Sequence, residues 1–322
     1  MPQAAFSLAR PAPDDSDRTR LFIDSHVTAP NQRRLLHSLL DHFPAGERSP
    51  YVDIPRLVYG GITGCEEEAV PLTALGKFLF LGMDIMDDIA DGDAEDHWPG
   101  HNMAELQLGS SLFLSALPQI LIADLKAPEG IRTQIQQRFA RGLLETAAGQ
   151  QLELGMTEKM DIDPQKVEDS VRGKSSGVAT LASIAARLAG ATGDQINAYE
   201  EMGYHLGSAA QIATDFYDLF QTTLSRDLRN GTRTLPIALC LAKCSEDEKK
   251  ILFGPLEEAR SLLFSKGIGR LTAFIIELYC ERARKNLSLA DPKAIYRVKL
   301  DSLINHISFF REDNQPRRMA GR

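Results

Sequence analysis

Residues 78–93 read FLFLGMDIMDDIADGD, an apolar run that passes without a break into Asp84, Asp87, Asp88, Asp91 and Asp93. The first four aspartates stand at i, i+3, i+4 and i+7, which places them on one face of a helix over two turns. Like charges three and four residues apart repel and lower helix stability. The negative end of the helix dipole adds to that penalty. Something cationic must offset it. Carboxylate oxygens suit a hard divalent ion such as Mg²⁺, which keeps waters or phosphate oxygens as its other ligands. The plainer alternative is a solvated acidic face.

A second pair tips the balance. LGSAAQIATDFYDLF, residues 206–220, carries Asp215 and Asp218 at i and i+3, again on an apolar helix. Two such helices facing each other can hold Mg²⁺ between them. Such ions suit a diphosphate, because they neutralise a leaving group and promote cleavage of its carbon–oxygen bond. The apolar helix below would line a pocket for a hydrophobic tail, narrowed by Phe80 one turn below Asp84.

The rest of the 322-residue chain reads as helix. Hydrophobic residues make up 43% and charged residues 25%, the balance of a soluble globular protein. NQRRLLHSLLDHF puts Leu35, Leu36, Leu39, Leu40 and Phe43 on one face, and no stretch alternates as a strand would. Ser245 and Glu248 form a capping-box pattern, while Asp163 precedes Pro164 as a cap before a first-turn proline. Roughly ten to twelve helices in one all-α domain are expected from these signals. Its bounds are 21–312, after a disordered lead-in at 1–20 and before a tail at 313–322. A net charge of −8 speaks against a general nucleic-acid binder. The four cysteines have no zinc spacing and read as free thiols in a reducing compartment. Pro118 and Arg187 interrupt the longest apolar runs short of the ~18 residues of a membrane span. A cytoplasmic protein with no membrane span is the expectation.

In order along the chain, five segments resemble motifs of the trans-prenyl diphosphate synthase (polyprenyl synthetase) family. MDIMDD resembles the first aspartate-rich motif, DDxxD, and GQQLEL at 149–154 resembles GQxxDL. GKSSGVATLASIAARLAGA resembles the segment in which Lys174 takes the lysine position. QIATDFYD resembles QIxDDxxD, with Gln211 matching, and RDLRNGTRTLP resembles DLxxGKxTLP, with Thr232 in place of lysine. The resemblance spans about residues 50–240. It implies a class I terpenoid synthase helical bundle with a central apolar pocket, an allylic prenyl diphosphate substrate, Mg²⁺ and a two-fold homodimer. It also implies site residues. Asp84, Asp87, Asp88 and Asp215 are the expected catalytic set and, with Asp218, the metal ligands. Lys174 and Gln211 would contact substrate, and Arg226 and Arg233 are candidates to replace the missing lysine. Phe78 and Phe80 lie where the family sets product length by bulk. Asp227 reads as a helix cap or ion-pair residue, and His97, Trp98 and His101 as loop packing.

The departures carry information too. Aligned on IMDD, Met83 replaces the first aspartate of the first motif, and Thr214 replaces that of the second. The family's GKxxR before a proline corresponds to PYVDIP, with Tyr51 and Ile54 in place of lysine and arginine, and DGDAEDHW stands where an arginine pair follows the first motif. A diphosphate needs several charge-assisted contacts, so the isopentenyl diphosphate site is degraded on this reading. Three functions remain open: prenyl transfer to another acceptor, a terpene synthase or cyclase, and a non-catalytic partner subunit.

Overall fold

SGVATLASIAARL, residues 176–188, holds no side chain bulkier than leucine or isoleucine before Arg187. Small side chains let neighbouring backbones come close, and this segment is the axis of the molecule. The computed structural model describes residues 14–42 and 50–309, with seventeen α-helical segments and no strand among the described residues. In order, α1 (Asp14–His26), α2 (Pro30–Asp41) and α3 (Ile54–Thr63) lead into the long α4 (Val70–Asp91). A short α5 (Ala94–His97), then α6 (Met103–Ser111) and α7 (Leu117–Ala123), cross to α8 (Glu129–Leu154). Next come α9 (Pro164–Lys174), the axial α10 (Ser176–Leu188), α11 (Gly193–Gln221) and the short α12 (Arg226–Asn230). The segments α13 (Leu235–Leu241), α14 (Glu246–Leu252), α15 (Leu256–Ser265), α16 (Ile268–Ala290) and α17 (Ala294–Ile307) complete the chain.

Every residue of α10 from Ser176 to Ala186 is buried. Around it pack α11, α8, α3, α4 and α9, so apolar burial on all its sides drives the assembly. Glycines in the neighbours make room. A methyl on Gly203 of α11 would stand 2.6 Å from the Cα of Ala179. A second, smaller core gathers Leu219, Ile237, Leu252 and Leu263 under α13–α16.

Three local expectations hold. Asp163 accepts a hydrogen bond from the Gln165 amide ahead of Pro164, Ser245 and Glu248 form a capping box, and Leu36, Leu39 and Leu40 are buried on α2. Phe43 lies outside the described residues, as do 1–13 and 310–322 of the expected lead-in and tail. Helix α1 nevertheless begins at Asp14, inside the stretch read as a lead-in.

Pro118 does not interrupt its apolar run. It sits in the first turn of α7 directly after a π-helical turn at Leu112–Ala116, and the wider turn accommodates a residue that has no N–H to donate. Two continuous helical runs, Glu67–Asp91 and Met103–Ala123, are therefore long and apolar enough to cross a membrane by length and composition. In this fold 61% and 44% of their apolar windows are buried against other helices.

The closest helix crossing positions the polar centre. Helices α8 and α9 meet at Gly149 and Gly173, where a methyl on Gly149 would stand 2.6 Å from the Lys174 amide nitrogen and 2.7 Å from the Ser170 carbonyl oxygen. Ser170 Oγ also donates to the Gly149 carbonyl at 2.8 Å. Backbone cannot yield as a side-chain tip can, so Gly149→Ala is expected to cost about 1–3 kcal/mol. Urea unfolding reads that loss; an unchanged midpoint would show that the crossing is looser than described.

Candidate active site

Helix α4 is 22 residues long with Pro71 in its first turn, and Gly92 ends it in the left-handed conformation. At 1.5 Å per residue it spans about 33 Å, and its last two turns carry the aspartates. A DDxxD frame runs unbroken through Asp87, Asp88, Ile89, Ala90 and Asp91. The alignments that put Met83 or Asp84 in its first position missed this frame. Asp84 lies one turn before it, and Asp91, left out of the expected ligand set, is its last member.

The carboxylates have different partners. Asp88 is tied down on both oxygens: the His97 ring nitrogen Nδ1 lies 2.6 Å from Oδ1, and Trp98 Nε1 donates to Oδ2 at 2.7 Å. His97 thus carries its proton on Nδ1, and its Nε2 accepts from the Arg226 guanidinium. His97 and Trp98 do more than fill a loop. The capping turn is braced again by Asp93, which pairs with Arg229 at 2.9 Å. Asp87 faces Lys174, whose Nζ stands 3.2 Å from Asp87 Oδ1 and 2.6 Å from Glu153 Oε2. Glu153 belongs to the GQQLEL segment and completes this bridge between α4, α8 and α9. Burial works against the Lys174 ammonium, but Asp87 and Glu153 outweigh it and hold its pKa above the ordinary lysine value.

On α11, Asp215 is buried and accepts a hydrogen bond from Gln211 Nε2 at 3.0 Å. Burial first, then the charges of Glu153 and Asp218, push its pKa up to about 7 against the pull of Lys174 and Gln211. Asp218 serves the fold instead, accepting from Ser225 Oγ and from the backbone amides of Arg226 and Asp227. It thereby satisfies the exposed N–H groups that open α12. Asp227 takes the place in the cluster that Asp218 gives up. Its Oδ2 is buried without a hydrogen bond, and burial together with Asp215, Asp218, Glu153 and Asp91 raises its pKa well above the carboxylate range.

Other expected residues lie elsewhere. Phe78 is fully buried between Phe22 and Phe113, at centroid distances of 5.8 Å to each, so it is core. Arg233 is turned from the aspartates: it donates to the carbonyls of Lys159 and Gly231 and lies 4.2 Å over the Phe253 ring. Arg226 is half exposed, with its guanidinium 3.9 Å from Asp93. Phe80 is partly exposed, its ring 6.5 Å from that of Tyr51. A cavity of about 240 Å³ between Phe22, Thr73 and Leu121 belongs to the far end of α4, about 21 Å from Asp87 by helix rise.

Asp84 needs a reading of its own. Its side chain is open to solvent, yet desolvation by the surrounding protein, then Asp87 and Asp88, pushes its pKa up to about 7. Both facts hold for a carboxylate facing the inside of a cleft. Asp91 is likewise pushed up to about 7 by burial, with Asp87, Glu153 and Asp93 outweighing Lys174. Among the described residues no three His, Cys, Asp or Glu side chains are drawn together tightly enough to hold a metal ion as they stand. Mutual repulsion and the partners on Asp87, Asp88 and Asp218 account for that spacing.

An all-helical bundle with two aspartate-bearing helix ends facing one lysine defines a class, the isoprenoid synthase fold. The geranylgeranyl pyrophosphate synthetase of Pyrococcus horikoshii matches it with a TM-score of 0.79 at 20% identity, over 92% of this chain and 95% of that one. A polyprenyl synthetase of Streptomyces coelicolor matches with a TM-score of 0.77 at 20% identity, over 91% and 96%. The polyprenyl synthetase family model matches residues 67–261, more than half of the sequence. The chain belongs to the polyprenyl synthetase family. It is 28% identical to the geranylgeranyl diphosphate synthase of Sulfolobus acidocaldarius over 53% of its length, spanning 51% of that relative. It is 25% identical to the tryptophan prenyltransferase ComQ of Bacillus subtilis over 84% of its length and 92% of that protein.

The raised carboxyl pKa values have a stability consequence. Asp215 loses its proton near pH 4 in the unfolded chain but near 7 in the fold, so its contribution to stability falls as pH rises from 4 to 7 and stays low above. In EDTA, Asp215→Asn is expected to exceed the parent by about 2 kcal/mol at pH 8, with the gain vanishing near pH 4. Urea unfolding across that range measures it; a gain independent of pH would refute the titration.

Proposed function

We propose that this chain ionises an allylic prenyl diphosphate with Mg²⁺ and transfers the prenyl cation to an acceptor other than isopentenyl diphosphate. The carrying observation is a contrast between two walls. On one, Lys174 stands among Asp87, Glu153 and Asp215. On the other, the family's lysine and arginine positions hold Tyr51 and Ile54, and the following Arg56 is paired with Glu66 at 3.0 Å.

The donors fit Mg²⁺. They are hard carboxylate oxygens, the buried Asp227 Oδ2 has no internal partner, and carboxylates with raised pKa values gain from a cation. Asp87, Asp91, Asp215 and Asp227, with Glu153, are the residues we assign to it. Bound there, Mg²⁺ supplies charge neutralisation for the departing diphosphate. Lys174 contributes a fixed positive charge to the same oxygens, Gln211 orients Asp215, and Asp88 and Asp218 hold the helix ends that carry the ligands. The partly exposed Phe80 and Tyr51 give the acceptor side an aromatic surface, where a prenyl cation is favoured by ring faces. A relative named as a tryptophan prenyltransferase aligns over most of the chain, which supports an indole-like acceptor. Attack by the substrate's own double bonds, as in a terpene synthase, uses the same ionisation.

The test offers the full chain geranyl, farnesyl and geranylgeranyl diphosphates with Mg²⁺, alone, with isopentenyl diphosphate and with indole. Released diphosphate and the organic extract are quantified. Release that isopentenyl diphosphate does not accelerate is expected, and Asp87→Asn or Lys174→Ala should lower it about 100-fold. Formation of a longer diphosphate would establish an ordinary elongating enzyme and overturn the reading.

A further inference from the structure

Of the four aspartates on the last turns of α4, two are engaged within the protein: Asp87 by Lys174, and Asp88 by His97 and Trp98. The side chains of Asp84 and Asp91 have neither hydrogen bond nor ion pair among the described residues. Asp91 is in the DDxxD frame and close to the charges of Glu153 and Lys174. Asp84 is not. It lies about 4.5 Å along the axis before Asp87 and about 6 Å after Phe80. Residues 80, 84, 87 and 91 follow one stripe of the helix, so Asp84 sits at the boundary between the aspartate end and the Phe80–Tyr51 aromatic wall. An open but crowded carboxylate with no internal partner, at the edge of an aromatic wall, is placed to act on something that enters the cleft.

Resting on the prenyl-transfer reading above, we propose that Asp84 is the general base that removes the proton from the alkylated acceptor. The carbon–oxygen bond of the allylic diphosphate breaks and its electron pair leaves with diphosphate. A π pair of a neutral, electron-rich acceptor, an alkene or heteroaromatic ring, then forms the new bond to the prenyl carbon. The cation so formed loses a proton to the Asp84 carboxylate, the C–H or N–H electron pair restores the double bond or ring, and Asp84 passes the proton to solvent. Prenylated acceptor, diphosphate and one proton are the balanced products.

The experiment compares the full chain with Asp84→Asn and Asp84→Glu, using geranyl diphosphate and Mg²⁺ with and without indole. Asparagine matches aspartate in shape, and circular dichroism confirms that the variants fold. In Asp84→Asn, diphosphate release is expected to stay within about threefold of the parent. Prenylated indole, or hydrocarbon in its absence, should fall at least tenfold while geraniol rises; Asp84→Glu should restore part of the product. An unchanged product partition in Asp84→Asn would overturn the base. So would geraniol as the sole product of the parent. Loss of diphosphate release, or a tenfold higher Mg²⁺ requirement, would make Asp84 a metal ligand and overturn it as well. No release by the parent from geranyl, farnesyl or geranylgeranyl diphosphate would instead remove the prenyl-transfer reading on which the proposal rests.

Discussion

One lysine among too many carboxylates is the constraint on which the site depends. Lys174 touches Asp87 and Glu153 and acts on Asp91 and Asp215 through space. A single positive charge cannot balance that set, and burial raises the energy of every charge left over. The excess raises the pKa values of Asp91 and Asp215 to about 7, burial being the largest cause in each. The architecture around Lys174 follows from this. The glycine crossing of α8 and α9 brings Glu153 and Lys174 to the same level, and α10, starting right after Ser175, anchors the lysine's backbone to the most deeply buried helix of the fold.

Carboxylates that look alike in the sequence divide into those serving the fold and those left for something else. Asp88 holds the α4–α5 turn through His97 and Trp98. Asp218 caps α12 and Asp93 pairs with Arg229. The His97–Arg226 contact then links the turn after α4 to the turn after α11, so polar contacts join the segments that follow the two aspartate-bearing helices. With these partners satisfied, the carboxyl groups of Asp84, Asp91 and Asp227 are left without internal hydrogen bonds. Of these, Asp227 Oδ2 is a buried atom without a partner, a state native proteins rarely allow and one that gathers at functional sites.

Helical periodicity, caps and the one-face spacing of residues 84–91 were legible because each depends on residues close in sequence. The fold class followed from them. What escaped depended on contacts distant in sequence or on the direction a side chain takes. Arg233 and Arg226 look equivalent beside the second motif, yet Arg233 turns to the Lys159 carbonyl and Phe253. Nothing local distinguishes Asp218 as a cap from Asp227 as an open carboxylate until α12 folds back on α11. Pro118 looked like a break because a π-helical turn that accommodates it leaves no clear signature in residue type. The unbroken DDxxD pattern at 87–91 is local and legible in the residues themselves.

A register shift of three residues changes the chemistry assigned to Asp84. In the frame starting at Asp87, the α4 residues we assign to Mg²⁺ fall on its last turn, and Asp84 lies one turn nearer to Phe80, whose ring is 6.5 Å from that of Tyr51. A carboxylate there has no stabilising role in the folded chain, since it lacks a partner and repels Asp87 and Asp88. Leucine or methionine would pack on the same surface with less penalty. Local sequence choices that oppose folding without compensation are expected at functional positions. Tyr51 and Ile54, where the resemblance places a lysine and an arginine, have the converse effect: they bring no charge to desolvate and offer an anion no cationic contact. On the proposed reading, these two features border the acceptor side with aromatic rings and a proton acceptor rather than with cations.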